Sequence, residues 1–259
     1  FAHIGLARAL EELGIPVDLA GGTSMGAFFS ALVACGFNHR EIAAIARDTF
    51  VTHNNLNDYV LPRVSLIRGR KFLARLNEIF GERRVEELRT PYFCVSTNLT
   101  RAATMVHEEG LLATWVGTSM AIPGVAPPVA YNGDLLVDGA VTNSLPTDVM
   151  QALGRGPIIA SDVSTEGGLK APGVAGPDPE ALLRRDGNRA GVSLVDILFG
   201  GMALTSEGGV KLRASRADLY LRMPVAGVAL FAWKRLDEIA DRGYEHAMQK
   251  LEGFKKEFL

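Results

Sequence analysis

Little in this sequence points to disulfides, metal sites, nucleic acid or a membrane span. Only two cysteines, Cys35 and Cys94, stand among 259 residues. Two cannot build a disulfide framework, and neither has metal-ligand spacing. Cys35 ends an apolar helical pattern and Cys94 sits inside a strand pattern, so both are expected as small buried hydrophobes. That usage fits a reducing compartment. Lysine and arginine total 27 against 29 aspartate and glutamate, a net charge of -2. Such a balance offers nucleic acid no electrostatic footprint. No apolar run reaches the ~18 residues of a spanning helix. Residues 191–206 come closest, but Asp196 interrupts them. Neither a secretory signal pattern nor an internal repeat is present. The expectation is a cytoplasmic chain, with membrane contact only of the peripheral kind.

What is present is enough apolar material for a sizeable core. Hydrophobic residues make up 47% and charged residues 22% of the chain, with no break in composition that would split it, so residues 1–259 are expected as one domain. Helical periods recur over residues 2–13, 25–35, 38–50, 69–80, 111–120, 145–153 and 192–203, and in a last amphipathic stretch around residues 236–251. Short strand patterns fall at residues 17–20, 92–97, 104–107, 135–138, 157–163 and 217–223. Residues 52–68 show no period. Residues 165–187, rich in Gly and Pro, read as a mobile excursion. Strands alternating with helices define an α/β chain with a mostly parallel sheet.

One stretch carries chemistry. Gly22-Thr23-Ser24-Met25-Gly26 is a G-x-S-x-G pattern between a short apolar run and a helical one. Strand, tight turn and helix form the context in which this pattern is a nucleophile elbow. Small flanking residues let the backbone turn sharply, which holds the serine hydroxyl out of the turn. The Met25 amide, at the start of the helix, can donate to a developing oxyanion. The plain alternative is a glycine-rich strand-to-helix turn with no chemistry.

A serine needs a base in contact. Of the five histidines, His3, His39, His53, His107 and His246, only His246 follows a candidate acid in the order used by α/β-hydrolases. It lies inside a helical pattern, however, and Ser24 comes too early for that fold. The other candidate is Asp138, at the end of the apolar strand Leu135-Leu136-Val137 and before Gly139-Ala140. Strand ends of parallel sheets are where such folds build sites. A free Asp is a weak base, with a reference pKa near ~3.9. Burial raises it. The alternative is an Asp that caps the following turn.

At these residues the sequence resembles the patatin-like phospholipases, in particular the neuropathy target esterase-like branch and its bacterial relatives. Gly22-Thr23-Ser24-Met25-Gly26 matches that family's serine motif and Asp138-Gly139-Ala140 its D-G-[GA] motif. The stretches Ser119-Met120-Ala121-Ile122-Pro123-Gly124, Pro127-Pro128, Asn143-Ser144-Leu145-Pro146 and Ala2-His3-Ile4-Gly5 resemble the segments around them. The resemblance implies a three-layer α/β/α sandwich. It also implies hydrolysis of phospholipid or lysophospholipid esters by a Ser24–Asp138 dyad, through an acyl-enzyme, with no metal or other cofactor. The family's glycine-rich oxyanion motif, G-G-x-R/K-G, belongs just ahead of a helix like that of residues 2–13. A first strand and the rest of the oxyanion hole are therefore expected upstream of Phe1. Two other readings stand beside this one: a catalytically silent lipid-binding module on the same fold, and an α/β-hydrolase-type esterase using His246. Candidate lipid-facing runs are residues 194–199 and 225–233. The basic cluster Arg68, Arg70 and Lys71 reads either as a solvated helix start or as a contact with lipid head groups.

Overall fold

The computed structural model describes residues 1–53, 55–164, 175–183, 192–228 and 232–258. The chain opens on helix α1 (Ala2–Leu13), closed by Gly14 in the left-handed conformation. Strand β1 (Ala20–Thr23) then runs into helix α2 (Met25–Ala34) through Ser24. The strand therefore lies later than residues 17–20. Its glycines have little strand propensity, and the pairing of Ala20–Thr23 with Tyr92–Val95 overrides this. Helix α3 (His39–Ala46) starts at a capping box in which Asn38 and Glu41 bond each other's backbone. Helix α4 (Arg70–Phe80) buries Phe72, Leu76 and Phe80. Leu73, beside Phe72 on the same helix, is exposed at 43%.

Strand β2 (Tyr92–Asn98) is the centre of the main sheet, and every one of its residues is buried. Both of its faces are therefore covered, as in a three-layer arrangement. It pairs parallel with β1 and antiparallel with β3 (Ala103–His107) and β5 (Asp134–Asp138). Helix α5 (Leu112–Ser119) lies between β3 and a short strand, β4 (Val129–Tyr131), which turns back into β5 through Asn132-Gly133. Helix α6 (Thr147–Leu153), which starts directly after Pro146, leads to β6 (Ile159–Asp162). Helix α7 (Leu194–Ala214) runs eleven residues past the expected end at 203. Strand β7 (Leu219–Arg222) pairs parallel with β6, and α8 (Leu236–Phe258) packs on α1. The mobile excursion expected at residues 165–187 falls mostly outside the described residues, as does part of the run at 225–233.

The result is a mixed α/β structure with parallel pairs at its core. The principal cluster joins α2, α3, α4 and α5 to β2. Phe28 in α2 meets Phe29, Phe50 and Phe80 edge-to-face, with ring centroids 5.4–6.3 Å apart. Offset and edge-on aromatic contacts of this kind are worth about 0.5–1.5 kcal/mol each beyond burial. They pin the helix that begins at Ser24. Strands β1 and β6 are both edge strands, and both line one cavity. Among the described residues, no helix is long and apolar enough to cross a membrane.

Candidate active site

Ser24 occupies the single residue between β1 and α2. Its backbone has φ 53 and ψ -121, a conformation costly for a residue with a Cβ. The surroundings enforce it. A Cβ on Gly22 would lie 2.5 Å from the Gly26 carbonyl carbon, so only glycine allows the turn to close. Thr23 Oγ1 donates to the Asn143 carbonyl at 2.7 Å, which ties the elbow to the turn beyond Asp138. The Ser24 amide donates to Ser119 Oγ at 2.9 Å, and that hydroxyl donates in turn to the Val95 carbonyl at 2.7 Å.

Ser24 Oγ donates to Asp138 Oδ2 at 2.6 Å. Asp138 ends β5 and is fully buried. Its other oxygen accepts the Ala140 amide at 2.8 Å. The intervening Gly139 lies so close to β2 that a Cβ there would sit 2.4 Å from the Val95 carbonyl oxygen. The Asp138 pKa is raised to about 7 by burial, against the opposing pull of its bonds from Ser24 and Ala140. A carboxyl group titrating near neutrality can accept a proton and give it back. The amides of Met25 and Gly26 open α2 beside the hydroxyl. Helix-opening N–H groups lack intrahelical partners and carry positive partial charge.

The serine stands in a cavity of about 1890 Å³, lined mostly by apolar side chains, among them Met25, Phe29, Met120, Ile122 and Val125. His246 lies in the middle of α8, half-buried, and does not line this cavity. His3 does line it, but its half-buried ring is held by Ser161 Oγ at 2.9 Å and its pKa is lowered to about 3 by desolvation. Among the described residues, no group of three His, Cys, Asp or Glu could hold a metal ion. Sequence reasoning named the stretch that starts at Ser119 but gave that residue no role. Its link to Ser24 spans 95 positions and leaves no local pattern.

The strained serine, the buried carboxyl and the flanking helix start form one strand-turn-helix elbow, and comparison with known proteins gives its family. The patatin-like phospholipase family model matches residues 1–150. The chain belongs to that family. It is 38% identical over 170 residues to patatin-like phospholipase domain-containing protein 7 of Rattus norvegicus, covering 63% of this chain and 13% of the relative. It is 37% identical over 171 residues to neuropathy target esterase sws of Drosophila melanogaster, covering 64% and 12%. Lysophospholipase NTE1 of Meyerozyma guilliermondii matches at 30% identity over 266 residues, which is 98% of this chain and 18% of the relative. The chain thus spans less than a fifth of the length of these relatives.

Proposed function

We propose that this chain hydrolyses carboxylic esters of phospholipids or lysophospholipids, with Ser24 as nucleophile and Asp138 as its proton acceptor. The observation that carries the reading is the 2.6 Å hydrogen bond from a strained serine to a buried carboxylate. The names of the relatives, phospholipase, esterase and lysophospholipase, agree with it. In the first half-reaction Ser24 Oγ attacks the ester carbonyl as its proton passes to Asp138. The Met25 amide stabilises the oxyanion. Collapse breaks the ester bond, and Asp138 returns the proton to the departing alcohol. Water, deprotonated by Asp138, then releases the fatty acid from the acyl-serine. The part of the cavity lined by Met120, Ile122 and Val125, away from the edges of β1 and β6, takes the acyl chain. No step draws on a cofactor.

The same reading treats residues 1–259 as one patatin-like domain that takes one more strand. Edge strands β1 and β6 face a common cavity, and Ala20, Gly22, Ala160 and Asp162 are buried along it. A strand edge left open toward a cavity is a template for pairing with another strand. A strand ending in Gly-Gly-x-Arg-Gly, ahead of α1, would fill the slot and bring a second oxyanion donor. Adding one is expected to raise kcat by about 10²–10³-fold. No change would count against it.

The main test is hydrolysis of p-nitrophenyl esters and lysophosphatidylcholine by the wild type and by Ser24→Ala, Asp138→Asn and His246→Ala. Loss with the first two and retention with the third is expected. Activity that survives Ser24→Ala overturns the reading.

A further inference from the structure

Residues 59–67 form a hairpin that the chemistry above does not use. Tyr59 and Ile67 make an antiparallel bridge, and the Val60 amide donates to the Leu66 carbonyl at 2.9 Å. The returning arm is fixed to the segment that leads from α5 toward Asp138. The Leu66 amide donates to the Gly124 carbonyl, and the Ile67 amide to Val125, at 2.9 and 3.0 Å. Ser65 and Ile67 are buried there. The tip is built the opposite way. Leu61 is 84% and Val64 66% exposed, with Pro62 and Arg63 exposed between them. Two exposed aliphatic side chains at the tip gain nothing from water.

The charge along residues 59–71 is of one sign. Arg63, Arg68, Arg70 and Lys71 are all exposed, and residues 59–71 contain no carboxylate. None of the four cations is in an ion pair among the described residues. The nearest acid in sequence, Asp58, is spent inside the fold: its carboxylate accepts the amides of Gly69, Arg70 and Lys71 at the start of α4. Tyr59, Leu66, Arg68 and Arg70 also line the cavity that holds Ser24. Beside the hairpin, Leu198 of α7 packs against Gly124. Leu194, Ile197 and Leu204 of the same helix are exposed at spacings that share one face.

We propose that the hairpin of residues 59–67, with Arg63, Arg68, Arg70 and Lys71 around it, docks this chain on an anionic phospholipid surface. Leu61 and Val64 enter the head-group layer, while the cations meet the phosphates. Near a charged bilayer each basic residue adds about fivefold to binding. The charge complementarity and the shared cavity decide for lipid over a protein groove. The inference rests on the hydrolase reading only for what the docking serves.

The test is sedimentation with vesicles of phosphatidylcholine containing about one third phosphatidylserine, against pure phosphatidylcholine. The wild type is expected to bind the anionic vesicles about tenfold or more tightly, and to lose that preference in high salt. Leu61→Ser/Val64→Ser and Arg63→Ser should each weaken binding about fivefold. A Leu61→Trp reporter should be quenched by brominated acyl chains. Equal sedimentation of the wild type and both tip variants overturns the proposal, as does an unquenched reporter or a wild type that binds neither vesicle. Hydrolysis of soluble p-nitrophenyl butyrate by the same preparations separates the two readings. Tip-dependent binding without esterase activity leaves docking standing and removes the hydrolase. Esterase activity with tip-independent binding does the reverse.

Discussion

Several serines hold a titratable partner at hydrogen-bond distance, and two of these pairs adjoin. Ser24 meets Asp138 at 2.6 Å, and Ser96 meets His107 at 2.7 Å. The pairs are neighbours, because Ser96 and Asp138 face each other across β2 and β5. By partner type alone the serine–histidine pair looks the more catalytic. Its surroundings say otherwise. Ser96 lies within a regular strand with no exposed surface, and His107 stacks on Trp115 with ring centroids 3.9 Å apart. Neither residue lines the cavity. Burial acts on both partners by favouring the neutral form, which moves an acid and a base in opposite directions. Asp138 is raised to about 7, where it can switch, whereas His107 is lowered to about 4 and stays neutral at physiological pH. A site therefore needs more than a nucleophile and a base. It needs a strained, accessible hydroxyl, a helix start to meet developing charge, and a partner poised near neutrality.

The sharpest way to break this comparison is to delete each hydroxyl. Ser24→Ala is expected to lower kcat/KM on p-nitrophenyl esters by about 10³-fold or more, since members of a catalytic unit fail together. Ser96→Ala should leave kcat within about threefold, yet cost about 1–3 kcal/mol in urea unfolding, because the buried His107 nitrogen loses its partner. The reverse result would make Ser96–His107 the working pair. Next in size is Asp138→Asn. It should slow turnover by about 10²–10⁴-fold, the range of general-base catalysis, and yet stabilise the fold. The Asp138 pKa is about 7 in the fold against ~3.9 in the unfolded chain. Between those values the folded state binds the extra proton, so stability falls as pH rises from ~4 through ~7. At pH 8 the asparagine variant should be more stable by about 2–4 kcal/mol, with the gain vanishing below pH ~4. Paired urea melts at the two pH values check this.

Turnover should respond to pH in the opposite sense. The proposed mechanism uses the base form of Asp138, so kcat/KM should rise about tenfold per unit on the acid side and level off above an apparent pKa of about 7. His107→Gln should not shift that midpoint. A midpoint that moves with His107, or one that lies near 4, would reassign the base.

The same contrast explains what could be read from the chain. Ser24 and Asp138 were visible because each sits in a short motif whose spacing is set by local backbone geometry: a turn that only Gly22 permits, and a strand end pressed on β2 at Gly139. Amphipathic helices such as α1, α3 and α8 were legible for the same reason, their period being local. Features decided by distant contacts were not. Strand β1 lies three residues beyond the expected 17–20, since Gly21 and Gly22 become strand only by pairing with Phe93 and Cys94. Strand β4 was missed, although Asn132-Gly133 is a hairpin signal that could have revealed it. Helix α7 was cut short where Gly200, Gly201, Gly208 and Gly209 blur its period.

Ser119 is the smallest expected effect and the finest test of why Ser24 differs from Ser96. Ser96 needs no help to keep its strand conformation, whereas Ser24 is held at positive φ by a hydroxyl that bridges its amide to the Val95 carbonyl. We treat Ser119 as a positioning residue, because its bond reaches the backbone of Ser24, the proposed nucleophile, and not its Oγ. Removing the bridge frees the Ser24 amide and lets the elbow relax toward unstrained dihedrals. Small losses of alignment cost rate more than binding. Ser119→Ala should therefore lower kcat about tenfold with KM within about twofold and the pH midpoint unmoved. Ser119→Thr keeps a hydroxyl in reach and should recover part of kcat. A merely structural role would instead lower the melting temperature of both variants alike and leave the kcat of the folded fraction untouched.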